Sequence, residues 1–266
     1  MRGINARFIS DLTNGELSFF LHEVKERKTE LALEIRGGYI NIYYRGGNLL
    51  KITQKRNGYA FQFDSRYCLN KGDDSNYEQI TKLDSFSASE YAEHFDLLID
   101  EMQKWFSVHP KPEREYQHQL LVHNESIVDI EYQVRNLMRL DMLMVIDDQL
   151  IVAENKYGLG AISGSAGLAK HYRDICMVLT DSGLKRELYD SVQRIAECKS
   201  LLGLLNRSIT PLDHCKHEIL FLLAGYNPKS RLVQNELDSL EITIPAKILF
   251  MPADRFEIDI SEAVSL

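Results

Sequence analysis

The stretch Arg139-Leu140-Asp141-Met142-Leu143-Met144-Val145-Ile146-Asp147-Asp148-Gln149-Leu150-Ile151-Val152-Ala153-Glu154-Asn155-Lys156-Tyr157 governs the reading of the chain. Leu140 to Ile146 and Leu150 to Ala153 are apolar runs rich in β-branched and large aliphatic residues, and Asp147-Asp148-Gln149 between them has turn chemistry. The simplest reading is a β-hairpin. Side chains alternate along a strand, so Asp141 falls on the face of Leu143 and Val145, and Glu154 and Lys156 on the face of Leu150 and Val152. Ionisable groups on an aliphatic face are costly to bury unless they are paired or hold a cation. That mismatch marks the hairpin as a candidate site.

Two carboxylates arriving from neighbouring strands make a hard-oxygen site suited to Mg²⁺ or Mn²⁺, which takes carboxylates plus water and leaves room for phosphate. A lysine two residues after the glutamate points to the same side. There it lowers the pKa of an attacking water or stabilises charge growing on phosphorus. Metal-assisted phosphodiester hydrolysis is the chemistry these residue types imply. The same spacing also arises by accident in solvated hairpins, so the surrounding elements must discriminate.

Upstream, Pro112 to Asn124 has a helix signature. Proline suits the first helical position, Glu113 and Glu115 suit the positive end of the helix dipole, and Asn124 closes the end. Helical spacing sets Tyr116, Leu120 and Leu121 inward, Glu113 and Gln117 within the same arc, and Glu115 outward. Ile127 to Val134 alternates strictly, with Val128, Ile130, Tyr132 and Val134 on one face and Asp129, Glu131 and Gln133 on an opposite face expected to be wet. Downstream come a glycine-rich turn from Tyr157 to Ser165 and a helix to about Leu179 with an apolar stripe of Leu168, Tyr172, Ile175, Cys176 and Leu179. A helix from Asp190 to Arg207, a buried strand from His217 to Tyr226, a helix from Lys229 to Leu240 and a strand from Ala246 to Met251 complete the series.

With Asp141 on the second strand of a meander and Glu154-x-Lys156 on the third, between a preceding helix and a following helix and strand, residues 112–225 resemble the PD-(D/E)XK nuclease superfamily. The resemblance implies an α/β fold in which a mixed central sheet is flanked by helices, a restriction-endonuclease-like αβββαβ core. It implies a Mg²⁺- or Mn²⁺-dependent enzyme that hydrolyses phosphodiester bonds of DNA or RNA. In that frame Asp141 and Glu154 hold the metal, the main-chain carbonyl of Asn155 completes the coordination, Lys156 assists the water, and Glu113 is an accessory catalytic carboxylate with Gln117 beside it. Superfamily members place a glutamine or a basic residue on the helix after the Glu-x-Lys strand to touch the substrate backbone. Here that role falls to His171 or Lys170, although Leu168 stands where a glutamine preceding Tyr172 would be. Leu140 replaces the proline of the motif. The contrasting possibility is a catalytically silent member that binds DNA or a protein partner.

The glycine turn also invites a dinucleotide-binding reading, through Gly158-x-Gly160 after a strand. The third glycine, Gly164, comes one residue late, and the strand belongs to a hairpin rather than to a βαβ unit. Asp213-His214-Cys215-Lys216-His217 offers soft-metal ligands but lacks the second ligand pair of a zinc site.

The first eighty or so residues differ in kind. A helix is expected from Ile9 to Lys25. Short runs at 31–35, 39–45, 49–53 and 59–63 follow, divided by Gly37-Gly38, Gly46-Gly47-Asn48 and Asn57-Gly58. These turn signals predict an antiparallel meander. Cys68 to Lys82 is polar and is expected to be a loop or linker. Ser87-x-x-Glu90 forms a capping box for a helix whose stripe is Tyr91, Phe95, Leu98, Met102 and Phe106. The expected division is a β-rich region over 1–83 and a nuclease-like domain over 84–266.

The net charge of −8 argues against a generic nucleic-acid coat. Residues 1–70 nevertheless carry eleven Lys and Arg against seven Asp and Glu, a balance of +4, and the remainder carries −12. Arg36, Arg45, Lys51, Lys55 and Arg56, interleaved with tyrosines, therefore make the meander the expected nucleic-acid grip. DNA is the first expected partner, and a homodimer is compatible with the family. No run approaches the roughly twenty apolar residues of a membrane span, and the N-terminus begins no secretory signal. Cys68, Cys176, Cys198 and Cys215 show no paired spacing, which points to a reducing cytoplasm.

Overall fold

A computed structural model describes residues 2–69, 75–158, 162–164, 167–206 and 210–266. Gly160 and Ser165 of the glycine turn, Asn70, Gly72, Asp73 and Asp74 of the polar stretch, and the expected helix end at Arg207 lie outside them. The chain forms two compact units, Arg2–Val122 with Cys198–Asn206, and His123–Glu197 with residues 210–266. Both are α/β, the first built on a four-stranded antiparallel sheet and the second on a six-stranded mixed sheet.

In the first unit, helices α1 (Ala6–Asn14) and α2 (Ser18–Glu26) replace the single helix expected over 9–25. The break falls at Gly15, which leaves the helical conformation while its N–H still bonds Asp11 O, and where a Cβ would lie 2.7 Å from Asp11 Cα. Strands β1 (Leu31–Ile35), β2 (Tyr39–Tyr44), β3 (Gly47–Lys55) and β4 (Gly58–Gln62) form the meander in chain order. Then come α3 (Ser75–Lys82), where a linker was expected, α4 (Ala88–Glu93), α5 (Phe95–Val108) and α6 (Pro112–His123). Ile80, buried on α3, is the apolar anchor that the polar stretch offers its neighbours. Ser87 Oγ caps α4 by accepting from Glu90 N–H, while the Glu90 carboxylate reaches back to Asp84 N–H.

The expected boundary at residue 83 is displaced, because the apolar stripe of α4 and α5 requires a sheet face. Tyr91 stacks on Phe61 at 5.2 Å, Phe95 packs on Phe20 at 5.8 Å, and Phe61 N–H donates to Ser85 O. The tight turn before β3 sits at Arg45-Gly46, with φ of 48° and 76°. A Cβ on Gly46 would meet the Arg114 carbonyl oxygen at 2.5 Å. Steric clash and a left-handed backbone act together, so Gly46→Ala is expected to destabilise this unit by about 1–3 kcal/mol, read as a lowered urea midpoint.

In the second unit, β5 (Ile127–Val134), β6 (Met138–Ile146) and β7 (Gln149–Tyr157) run antiparallel as a meander. Helices α7 (Leu168–Thr180) and α8 (Ser182–Leu201) follow, then β8 (His217–Ala224), α9 (Arg231–Asp238), β9 (Ala246–Met251) and β10 (Val264–Ser265). The unit division falls inside α8. Strand order is β10-β9-β8-β7-β6-β5, with β7, β8 and β9 mutually parallel. The β6–β7 hairpin closes on Asp147 and Asp148 at φ 46° and 61°, the pair of left-handed residues that a two-residue hairpin turn requires. Aspartate is among the few non-glycine residues that accept this conformation.

β7 sits in mid-sheet and is buried from Leu150 to Lys156, which is why its sequence is apolar on both faces before Glu154. Tyr172 on α7 fixes the chain leading into β9. Its hydroxyl accepts from Thr243 N–H and Ile244 N–H and donates to Ile244 O. On the other face of the sheet, Tyr132 donates to Ser191 Oγ of α8 at 3.1 Å. Among the described residues no helix is long and apolar enough to cross a membrane.

Candidate active site

The β6–β7 register pairs Leu143 with Val152 and Met142 with Ala153. The paired residues end at Met142 and Ala153, and strand alternation carried one residue beyond them puts Asp141 and Glu154 on the same sheet face. The two acids and Lys156 thus lie on one face of the second unit, as strand alternation predicts. Asp141 is half-buried and its Oδ2 accepts the Asn155 N–H at 3.1 Å. Glu154 is 2% exposed and Lys156 8%. Lys156 Nζ stands 2.8 Å from Glu154 Oε1, and His171 Nδ1 lies 3.1 Å from the same oxygen. His171 Nε2 is 3.3 Å from Lys156 Nζ.

A carboxylate is costly to bury at this depth without a partner, and the Lys156 ammonium supplies one. Burial, reinforced by the positive charge of Lys156, lowers His171 to about 4. The imidazole is therefore neutral at physiological pH. His171 reaches the pair from α7, which starts at Gly167 and carries His171 N–H to Gly167 O.

Several other expected site residues are placed differently. Lys170 is engaged with Asp174 one turn along α7. Asp129, expected on a wet face, is 0% exposed. It pairs with Leu143 across β5–β6, which puts it on the Asp141 face, and its Oδ1 accepts the Ile130 N–H at 2.9 Å. Alternation alone identifies which residues of β5 share a face; only the register shows that this face is the buried one. Gln133, on the same alternation, is exposed.

Glu113, Gln117 and the basic residues of the meander belong to the first unit. Glu113, expected on the inward arc of α6, is exposed. Glu115, expected outward, pairs with Arg45 at 2.6 Å. Helical spacing ranked these two glutamates by the apolar stripe, but the position of Arg45 on the adjoining turn settled the matter. Arg45 also lies over the Phe106 ring, and Lys51 Nζ sits 4.4 Å above the Tyr39 ring. Lys55 and Arg56 are exposed at the β3–β4 turn. Arg36, counted with the basic grip, is 5% exposed and faces Glu34 at 3.7 Å, so it serves the interior of this unit.

Whether these residues suit a divalent ion follows from the donor set. Among the described residues no group of three or more His, Cys, Asp or Glu is arranged to hold a metal. Of the carboxylates on this face Asp129 accepts the Ile130 N–H, and the donor set for a cation is Asp141 and Glu154 with the main-chain carbonyl of Asn155. Mg²⁺ commonly binds through one or two carboxylates and fills its octahedron with water and substrate phosphate, so the donor set fits it. A cation that needs an all-protein cage does not fit. Comparison of the chain with protein-family models, with curated proteins and with solved structures finds no match.

Proposed function

We propose that the chain is a metal-dependent nuclease of the PD-(D/E)XK type, hydrolysing phosphodiester bonds of DNA or RNA. The observation that carries this reading is that Asp141 accepts the N–H of Asn155, the residue after Glu154, while Lys156 stands 2.8 Å from the buried glutamate. The chain order α6, β5, β6, β7, α7 and then β8 supports it, being the order of the αβββαβ core with α8 inserted. That the four cysteines are free thiols supports a cytoplasmic setting.

In this mechanism Asp141 and Glu154, with the Asn155 carbonyl, would hold Mg²⁺ or Mn²⁺, which when bound supplies an acidified water and neutralises phosphoryl charge. Asn155 N–H orients the Asp141 carboxylate. Lys156 pairs with Glu154 and presents a positive charge where negative charge grows on the phosphorus oxygens. The basic, tyrosine-bearing surface around Lys51, Lys55 and Arg56 is assigned to the nucleic-acid backbone.

The purified chain, incubated with linear and circular DNA and with RNA, should cut at least one of them in Mg²⁺ or Mn²⁺. Cutting should stop in EDTA and return when the metal is restored in excess. A salt-sensitive mobility shift of DNA without cleavage in either metal would instead favour a silent binding module.

A further inference from the structure

The functional groups around Glu154 leave one question open, namely what holds the flexible Lys156 side chain in a single orientation. A lysine on four methylenes loses substantial rotamer freedom when fixed, and one ion pair defines its direction poorly. His171 makes a second contact with Lys156 and a contact with the glutamate as well. The chemistry of its neighbours dictates its tautomer. A carboxylate paired with an ammonium offers His171 an acceptor, so Nδ1 carries the hydrogen toward Glu154. The Lys156 ammonium has only donors, so His171 Nε2 must present its lone pair.

We propose that His171 is a positioning residue. Its imidazole donates from Nδ1 to Glu154 Oε1 at 3.1 Å and accepts at Nε2 from Lys156 Nζ at 3.3 Å, bracing the Glu-x-Lys pair in one orientation. This role replaces the substrate-backbone contact that the resemblance assigns to the position. Its catalytic consequence rests on the nuclease reading, whereas the hydrogen-bond pattern does not. The ring is well placed to serve as a rigid brace, since Tyr172, the next residue, anchors α7 through three hydrogen bonds to Thr243 and Ile244.

Two measurements test the proposal. Long-range ¹H–¹⁵N correlation spectra of the wild-type protein near pH 7 should show His171 as the Nδ1–H tautomer, with Nε2 shifted as a hydrogen-bonded acceptor. An Nε2–H tautomer would overturn the assignment, whatever the protein's activity. In kinetics, His171→Ala should lower kcat by about 10–100-fold with KM for the nucleic acid unchanged, the range typical of groups that orient a metal-site residue. His171→Gln, whose amide donates and accepts at once, should recover most of that loss. A raised KM with kcat intact would show a substrate contact and sink the positioning role. If wild-type protein cuts no nucleic acid, the nuclease reading fails while the spectra still decide the hydrogen-bond pattern.

Discussion

Asp141→Asn should lower the cleavage rate by about 10³-fold or more while the protein stays folded. Losing one metal-holding carboxylate removes several kcal/mol of transition-state stabilisation, and each 1.36 kcal/mol is about a factor of ten. The amide that replaces the carboxylate keeps an oxygen for the Asn155 N–H, so the local strand geometry is retained. Circular dichroism and the urea midpoint should match the wild type. Cleavage that survives this substitution would remove Asp141 from the site.

Lys156→Ala is a less direct probe than its place in the motif suggests. Lys156 stands 2.8 Å from a glutamate that is 2% exposed, so its truncation leaves a buried carboxylate short of its ammonium. Breaking a buried ion pair on one side costs about 3–5 kcal/mol. The informative variant is the double replacement Glu154→Gln with Lys156→Met, which removes both charges together. It should be inactive and more stable than Lys156→Ala alone.

An effect on stability of the same size is expected in the first unit, at Glu34. This glutamate on β1 is 1% exposed, and Lys199 Nζ, itself on a residue 5% exposed, stands 2.6 Å from its Oε1. Arg36 lies 3.7 Å from the other oxygen and donates to the Tyr43 hydroxyl, which also accepts from Asn41. Glu34→Leu takes the carboxylate away from Lys199 and strands that ammonium in the interior. A loss of about 3–5 kcal/mol is expected. Urea unfolding followed through the fluorescence of Trp105, the single tryptophan, reports on this unit directly. Adding Lys199→Met to Glu34→Leu should recover a large part of the loss, since an apolar pair of similar volume often replaces a buried ion pair at little cost. A single variant as stable as the wild type would show that the cluster contributes nothing.

The elements themselves were legible from local chemistry. Strict alternation located β5, and the Asp147-Asp148 pair located the hairpin that carries the site. Those features are local: two left-handed aspartates and a period of two need no distant partner. The interruption of the N-terminal helix at Gly15 and the helix at Ser75–Lys82 were missed for a different reason. Apolar residues continue on both sides of Gly15, so periodicity does not show the break, while α3 buries Ile80 alone and packing there outweighs weak helix propensity.

Burial and partnership required the assembled chain. Asp129 and Asp141 share a face because Asp129 pairs with Leu143, and the buried cluster around Arg36 forms because Lys199 arrives from a distant position to meet Glu34. His171 meets Glu154 and Lys156 across a separation in sequence that helical spacing does not encode. Along the chain, side-chain period says which residues move together. It carries no information on what lies opposite them, because the environment of an ionisable group is set by contacts between segments remote in sequence. The carboxylates and the lysine were therefore visible as residue types at a spacing, and their ionisation, orientation and partners emerged from the packing of α7 on the β6–β7 hairpin.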